Sequence, residues 1–156
     1  MTFRHSAALA LGAAAIAFAS PALAKPLALD EQSIAAELKA LQLPSELADR
    51  NASIEEIDSD FGEDAGYTIY LSQCTDHKDC KVMQFYAGYT ESKAGLAEIN
   101  EFNRSYRFAR AVIDKDNEPA LTMDVRTEAM SKEEFASVIS DWRTLMEAFS
   151  DAIYAD

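Results

Sequence analysis

Apolar side chains recur every three or four residues in three segments, a spacing that predicts three amphipathic helices. The first segment covers residues 30–41 and the second follows Ser92, with Asp30 and Ser92 as predicted N-cap residues. The third begins at a capping box formed by Ser131 and Glu134. Its apolar stripe is the longest in the chain: Phe135, Val138, Ile139, Trp142, Leu145, Met146, Phe149 and Ile153. A stripe of this width is typical of a helix that covers a sheet.

Between these helices apolar and polar residues alternate, which predicts antiparallel strands. A short strand at 54–58 precedes two longer ones at 67–71 and 82–86, and a second hairpin joins 107–114 to a strand that opens at Pro119. The order is therefore α-β-β-β-α-β-β-α. It predicts an α+β domain in which an antiparallel sheet of about five strands packs against helices.

The turn between the two longer strands is bounded by Cys74 and Cys80, the only cysteines in the chain. In an oxidising compartment this pair is expected to form a disulfide, which closes a loop of about seven residues and stabilises by about 2 kcal/mol. Cys74, His77 and Cys80 also match a C-x2-H-x2-C pattern, although structural zinc normally takes four nitrogen or sulfur ligands. A redox-active pair is a third alternative, although the spacing is not C-x-x-C.

The N-terminus has the pattern of a secretory signal peptide. Arg4 precedes an apolar run at 7–19, and the small residues Ala22 and Ala24 suit a signal peptidase. The run of about 13 residues is too short to cross a membrane as a helix. We therefore expect a signal peptide at 1–24 and a single mature domain at 25–156 that starts at Lys25, with an uncleaved membrane anchor as the alternative. That domain is expected in the periplasm, without stable membrane insertion.

Charge limits the classes of partner. The chain carries a formal net charge of −13, and its 49% apolar and 26% charged residues are ordinary for a globular protein. Binding to nucleic acid or anionic lipid depends on lysine and arginine, so both are disfavoured as partners. The acidity is explained by solubility, or by attraction to a basic partner or a divalent cation.

The chain offers little for catalysis. His77 is the only histidine that follows the predicted signal peptide, and the motifs G-x-S-x-G and H-E-x-x-H are absent. No glycine-rich loop of the kind that cradles phosphate is found either. Carboxylates are abundant, but no feature of the sequence identifies a pair that would act in general acid–base catalysis. We predict no catalytic residues, no cofactor and no metal, with a carboxylate-based hydrolase as the residual alternative.

Pairing of the two cysteines would set the register of the first hairpin. It places Tyr70, Gln84 and Tyr86 on the face opposite the apolar core residues. Because this face mixes aromatic rings with hydrogen-bonding groups, it is a candidate recognition surface if no helix covers it. The alternative is that these are ordinary tyrosines at a solvated sheet surface.

Arg110 is the candidate of the second hairpin. If Asp114 pairs with Pro119, Arg110 lies among apolar side chains, where a charge requires a partner. One interpretation is a site for an anion or a carboxylate, with Arg107 or Arg126 nearby. The other is that the aliphatic part of the Arg110 side chain packs against apolar residues while its guanidinium group reaches an Asp or Glu carboxylate or water. A shift of one residue in register would move Arg110 to the other face.

Several segments resemble a known family. They are 80–87 (CKVMQFYA), 99–103 (INEFN), 107–111 (RFARA), the turn at 114–117 and the helix around Trp142. Together they resemble YbjN-domain proteins, a family of bacterial sensory transduction regulators, over nearly all of residues 29–153. The resemblance implies a fold similar to that of type III secretion chaperones, which are binding proteins and often dimers, with no assigned cofactor or catalytic residue.

We therefore expect an exported, non-enzymatic binding module, monomeric or homodimeric, that recognises a protein or peptide partner in the cell envelope. The alternative is a periplasmic protein that binds a small molecule or a metal ion.

Overall fold

A computed structural model of the chain describes residues 26–47, 55–62 and 65–155. The predicted signal peptide at 1–24 lies outside these residues. Within them the chain forms three helices and six strands in the order α-β-β-β-β-α-β-β-α. Across the described ranges, none of the helices is long and apolar enough to span a membrane.

The six strands form one antiparallel sheet in the order β1-β2-β3-β4-β6-β5. The helices are α1 (Glu31–Ala40), α2 (Leu96–Ser105) and α3 (Lys132–Tyr154). The strands are β1 (Glu46–Leu47), β2 (Glu55–Asp60), β3 (Gly66–Ser72), β4 (Val82–Gly88), β5 (Arg110–Ile113) and β6 (Pro119–Arg126). The α+β prediction is confirmed, but the sheet has six strands instead of five. The additional strand, β1, has only two residues, which is too short for the alternation that predicts strands.

All three helices bury their apolar residues against the same face of the sheet. Ile34 of α1, Phe102 of α2 and Trp142 of α3 belong to one core cluster together with Ile69 and Phe85 of the sheet. The fold therefore has two layers, and the described helices leave the opposite face of the sheet uncovered.

Helix α3 begins as the sequence predicts. The Ser131 side chain accepts a hydrogen bond from the Glu134 amide (3.1 Å), and the Glu134 carboxylate accepts one from the Ser131 amide (2.7 Å). Asp30 likewise caps α1 by accepting from the Ser33 amide (2.8 Å). These local rules held because each cap involves residues within one turn.

Helix α2 differs from the prediction at its start. Its N-cap is Gly95, whose amide donates to the Glu98 carboxylate (2.8 Å), and Ser92 is not the cap. The Ser92 hydroxyl instead donates to the Ile153 carbonyl (3.0 Å) and fastens this loop to the end of α3. A capping pattern, which considers only neighbouring residues, cannot predict a contact between residues this far apart in the sequence.

The two hairpins also differ in how well their registers could be predicted. In the first, Leu71 opposes Met83, which is the register implied by pairing Cys74 with Cys80. In the second, Ile113 opposes Pro119, so the expected pairing of Asp114 with Pro119 is wrong by one residue.

The physical reason for the shifted register is the Asp114 side chain. Its carboxylate accepts from the amides of Asp116 and Glu118 (both 2.9 Å), and its own amide donates to the Glu118 carbonyl (2.8 Å). Asp114 and Glu118 therefore close a five-residue turn ahead of Pro119. The shift moves Arg110 to the face away from the core, where it opposes Thr122 and is exposed to solvent. Arg110 is therefore not an arginine buried among apolar side chains.

Candidate binding surface

The uncovered side of the sheet carries two rows of side chains that cross neighbouring strands. One row runs Asp58, Thr68, Tyr86, Thr122 and Arg110, and the other runs Glu56, Tyr70, Gln84 and Asp124. Every one of these residues is exposed or half-buried, and none belongs to the core cluster. We call these nine residues the open face.

The structure brings all four predicted binding residues onto the open face. Tyr70 and Gln84 oppose one another across β3 and β4, and Tyr86 lies one row away, with its ring centroid 6.5 Å from that of Tyr70 and the two rings tilted by 59°. Thr122 separates Tyr86 from Arg110 in their shared row. That these residues bind a partner stays a prediction; that they share a surface is a property of the fold.

Tyr86 is held in place from two sides. Its hydroxyl donates to the Asp114 carboxylate (3.1 Å), and a Cβ atom built on Gly88 would lie 3.4 Å from that hydroxyl oxygen. The ring thus lies over a glycine while its polar end is anchored at the β5–β6 turn. Burial and the hydrogen bond to Asp114 raise the pKa of Tyr86 to about 12, so the phenol is protonated at neutral pH.

Tyr70 is less tightly enclosed. Burial raises its pKa, and the charge of Glu56, which opposes it across β2 and β3, raises it further. Tyr70 is therefore a protonated phenol close to the negative charges of Glu56 and Asp58. Both tyrosines offer a ring and a hydroxyl, the combination that is enriched in protein interfaces.

Hydrogen bonds between strands fix the other polar groups of the open face. The Gln84 amide donates to the Asp124 carboxylate (2.7 Å), and the Thr68 hydroxyl donates to the Asp58 carboxylate (2.7 Å). Asp58, Asp114 and Asp124 were not predicted from the sequence as residues at this surface. The alternation of apolar and polar residues in β2 and β6 shows which residues of one strand share a face, but it does not show which residues of the neighbouring strand lie beside them until the register is known.

The outer edge of β5 is already occupied. The Asn103 side chain accepts from the Ala111 amide (2.8 Å) and donates from its own amide to the Ala111 carbonyl (2.9 Å). A side chain from α2 thereby takes the positions that an added strand would use. Binding by strand addition is blocked at this point, which favours the open face over this edge.

A disulfide joins Cys74 to Cys80 at the end of the first hairpin. Inside it Thr75 and Lys78 exchange two backbone hydrogen bonds (2.7 and 2.9 Å), and Asp76 and His77 adopt φ values of 49° and 61°. This is the geometry of a two-residue hairpin turn of the type I′ class. Within the described ranges no group of three His, Cys, Asp or Glu residues is placed to hold a metal ion, and this includes the C-x2-H-x2-C segment.

The buried cysteine of the pair connects three parts of the fold. The Cys80 amide donates to the Leu29 carbonyl (3.1 Å), and the Cys80 carbonyl accepts from the Thr127 hydroxyl (2.8 Å). The disulfide loop is therefore anchored both to the segment before α1 and to the segment between β6 and α3.

His77, at the tip of this loop, contacts the Glu55 carboxylate at the start of β2. The hydrogen bond from the imidazole to Glu55 raises the pKa of His77. A pKa raised in the folded state means that the contact stabilises the fold at pH values below the unfolded pKa of about 6.5. This contribution is lost as the pH rises through the higher folded pKa.

We expect Glu55→Gln to lower the pKa of His77 toward 6.5, because the amide removes the negative charge that favours the imidazolium. The measurement is an NMR titration of the His77 ring protons. Glu133→Gln, at an exposed position in the first turn of α3, is the matched control and should leave that pKa unchanged. Equal His77 pKa values in the wild type and in Glu55→Gln would contradict the assignment.

Comparison with known proteins places this geometry in a family. Residues 31–155 match the YbjN family, described as "Putative bacterial sensory transduction regulator". No curated protein matches the chain.

Among solved structures the chain is similar to YbjN of E. coli, titled "a putative transcription regulator", with 19% identity and a TM-score of 0.50 over 78% of this chain and 86% of that one. It is also similar to an uncharacterised protein of Methanothermobacter thermautotrophicus, with 17% identity and a TM-score of 0.50 over 80% and 99% of the two chains. The Yersinia pestis type III secretion chaperone SycH, solved with a fragment of YscM2, has 15% identity and a TM-score of 0.44 over 75% and 97%.

At these identities the first two structural matches show the fold alone. The family match covers most of the chain, from the first residue of α1 to the residue after α3. The resemblance inferred from the sequence motifs is therefore confirmed. The chain belongs to the YbjN family.

Proposed function

We propose that this chain is a non-enzymatic module that recognises a protein or peptide partner through the open face. The observation that supports this most directly is a six-stranded sheet with three helices on one side. The other side carries two neighbouring tyrosines beside an amide, with an arginine two strands away in the row of Tyr86. Tyrosine and arginine are the residue types that contribute most to binding energy in protein interfaces.

The rigidity of the open face also favours recognition. Gln84 is fixed by Asp124 and Tyr86 by Asp114, so these side chains already hold one orientation before a partner arrives. Binding then requires less loss of side-chain freedom. These polar groups are engaged with one another across strands and do not converge on one reacting centre, which favours binding over catalysis.

We further propose that the protein acts in the cell envelope after export. The support is the leader pattern at 1–24 and the disulfide between Cys74 and Cys80, a bond that persists in oxidising compartments. Recovery of the mature chain from periplasm, with Lys25 as its first residue by N-terminal sequencing, is the expected result. A cytosolic, unprocessed and reduced chain would overturn the proposed location.

The double variant Tyr70→Ala with Tyr86→Ala is expected to weaken partner binding about tenfold or more, because truncated interface tyrosines commonly cost over 1 kcal/mol each. The partner is to be isolated from envelope extract with the wild-type protein as bait, and its affinity then measured by calorimetry. Tyr106→Ala, at an exposed tyrosine on the helical side, is the matched control. A double variant that is folded and binds the isolated partner as tightly as the wild type would refute the proposal.

A cleft favours small-molecule binding as the second candidate. It has a volume of about 780 Å³, within the range of ligand sites, and lies between α3 and the sheet end where β2 meets β3. Its lining includes Phe61, Tyr89, Arg143, Met146, Asp151 and Tyr154. A thermal-shift screen of small anions and metabolites distinguishes the two: a ligand of the cleft raises Tm equally in the wild type and in the open-face double variant.

A further inference from the structure

Carboxylates surround the two tyrosines of the open face. Glu56 opposes Tyr70 on one side, and Asp124 opposes Gln84 on the other. Asp58 lies beside Thr68 in the neighbouring row, and Asp114 binds the Tyr86 hydroxyl. Four negative charges thus lie around one pair of rings that is itself only half-buried.

We infer that the partner segment is basic and that one of its arginine or lysine side chains lies against the rings of Tyr70 and Tyr86. This deepens, and rests on, the proposed function of the open face. A cation is attracted to the face of an aromatic ring when it lies within about 6 Å of the centroid. With centroids 6.5 Å apart and the rings tilted by 59°, one cationic group can lie within that distance of both.

The carboxylates have capacity for a further donor. Asp58 accepts a side-chain hydrogen bond from Thr68, and Asp124 accepts one from Gln84. An ionised carboxylate offers about four lone-pair positions, so additional N–H donors can be accepted without breaking these bonds. A guanidinium or ammonium group brings three to five such donors together with the opposite charge.

The charges of the open face place the basic side chain near the two tyrosines. Glu56 and Asp58 lie on β2 and Asp124 lies on β6. Arg110, in contrast, lies at the far edge of the sheet on β5. A basic side chain is therefore attracted toward the strands between these carboxylates and repelled by Arg110. The net charge of −13 acts in the same sense, because it concentrates cationic partners near the protein.

The test uses three synthetic peptides, acetyl-Gly-Ser-Gly-Xaa-Gly-Ser-Gly-amide, in which Xaa is arginine, citrulline or glutamate. Citrulline keeps the planar shape of arginine and removes its charge. In NMR titrations of the isotopically labelled protein, the arginine peptide should shift the ring signals of Tyr70 and Tyr86. The citrulline peptide should bind about two- to fivefold more weakly, as the loss of a cation–π contact at an exposed site implies. The glutamate peptide should bind more weakly still.

Variants locate the effect on the open face. Glu56→Gln and Asp124→Asn are each expected to weaken the arginine peptide about two- to threefold, since each removes one partly screened charge. Asp141→Asn, which removes the same charge from an exposed position on α3, should leave the affinity unchanged. Equal affinity for the arginine and citrulline peptides, or shifts confined to residues outside the open face, would overturn the inference.

The two proposals fail separately. If the isolated protein partner depends on Tyr70 and Tyr86 while no arginine peptide shifts them, the basic-segment inference is wrong and the open face still binds the partner. If the isolated partner is insensitive to both tyrosines, the proposed function itself is wrong.

Discussion

Trp142→Ala is expected to lower the free energy of unfolding by about 3–5 kcal/mol, the range for truncating a fully buried aromatic side chain. Trp142 is completely buried, and its ring centroid lies 5.5 Å from that of Phe85 and 6.4 Å from that of Tyr67. Its indole N–H makes no hydrogen bond within the described residues, so the loss arises from packing alone. Alanine would leave a cavity between α3 and the sheet that the rigid strands cannot fill.

The measurement is urea denaturation followed by far-UV circular dichroism, because the variant lacks the chain's single tryptophan. Leu96→Ala, at a leucine that is 68% exposed on α2, is the control and should change the unfolding free energy by about 0.5 kcal/mol or less. Trp142→Phe should fall between the two. A Trp142→Ala loss below about 1 kcal/mol would show that α3 does not pack on the sheet as described.

Removing the disulfide is expected to have the next largest effect. The double variant Cys74→Ala with Cys80→Ala should lose about 2 kcal/mol of unfolding free energy, because the unfolded chain regains the freedom of a seven-residue loop. Alanine is preferred to serine because Cys80 is fully buried and a hydroxyl there would be desolvated. Urea denaturation in the presence and absence of a reductant measures the difference.

Two controls make the disulfide prediction specific. Reductant should destabilise the wild type and leave the double variant unchanged. Thiol titration of the unfolded, unreduced protein should find no free thiol, since the described cysteines are both bonded. Two free thiols would show that the bond does not form in the protein as produced.

The elements that could be predicted from the sequence are those whose determinants are local. The capping box at Ser131 and the apolar stripe through Trp142 define α3 within a few turns, and the structure reproduces its start. The cysteine pair and the alternation on either side of it fixed the register of the first hairpin, and with it the shared face of Tyr70, Gln84 and Tyr86.

Two of the predictions that failed depend on contacts between distant residues, and a third failed on the length of a local turn. Strand β1 was not predicted because it forms only through the pairing of Glu46 and Leu47 with β2. Ser92 was wrongly predicted as a helix cap because its hydroxyl donates to the Ile153 carbonyl. Arg110 was placed on the wrong face because the hydrogen bonds of Asp114 extend a turn that the sequence suggested was shorter. The resulting shift of one residue moves every side chain of the strand to the opposite face, so the surroundings predicted for Arg110 were wrong.

The amide of Asn103 has a consequence for the durability of the protein. Deamidation to aspartate would keep an acceptor for the Ala111 N–H but replace the donor that satisfies the Ala111 carbonyl with a second negatively charged oxygen. The Ala111 carbonyl would then lack a donor and be available to pair with another chain. Deamidation at this one asparagine would thus weaken the protection of the β5 edge.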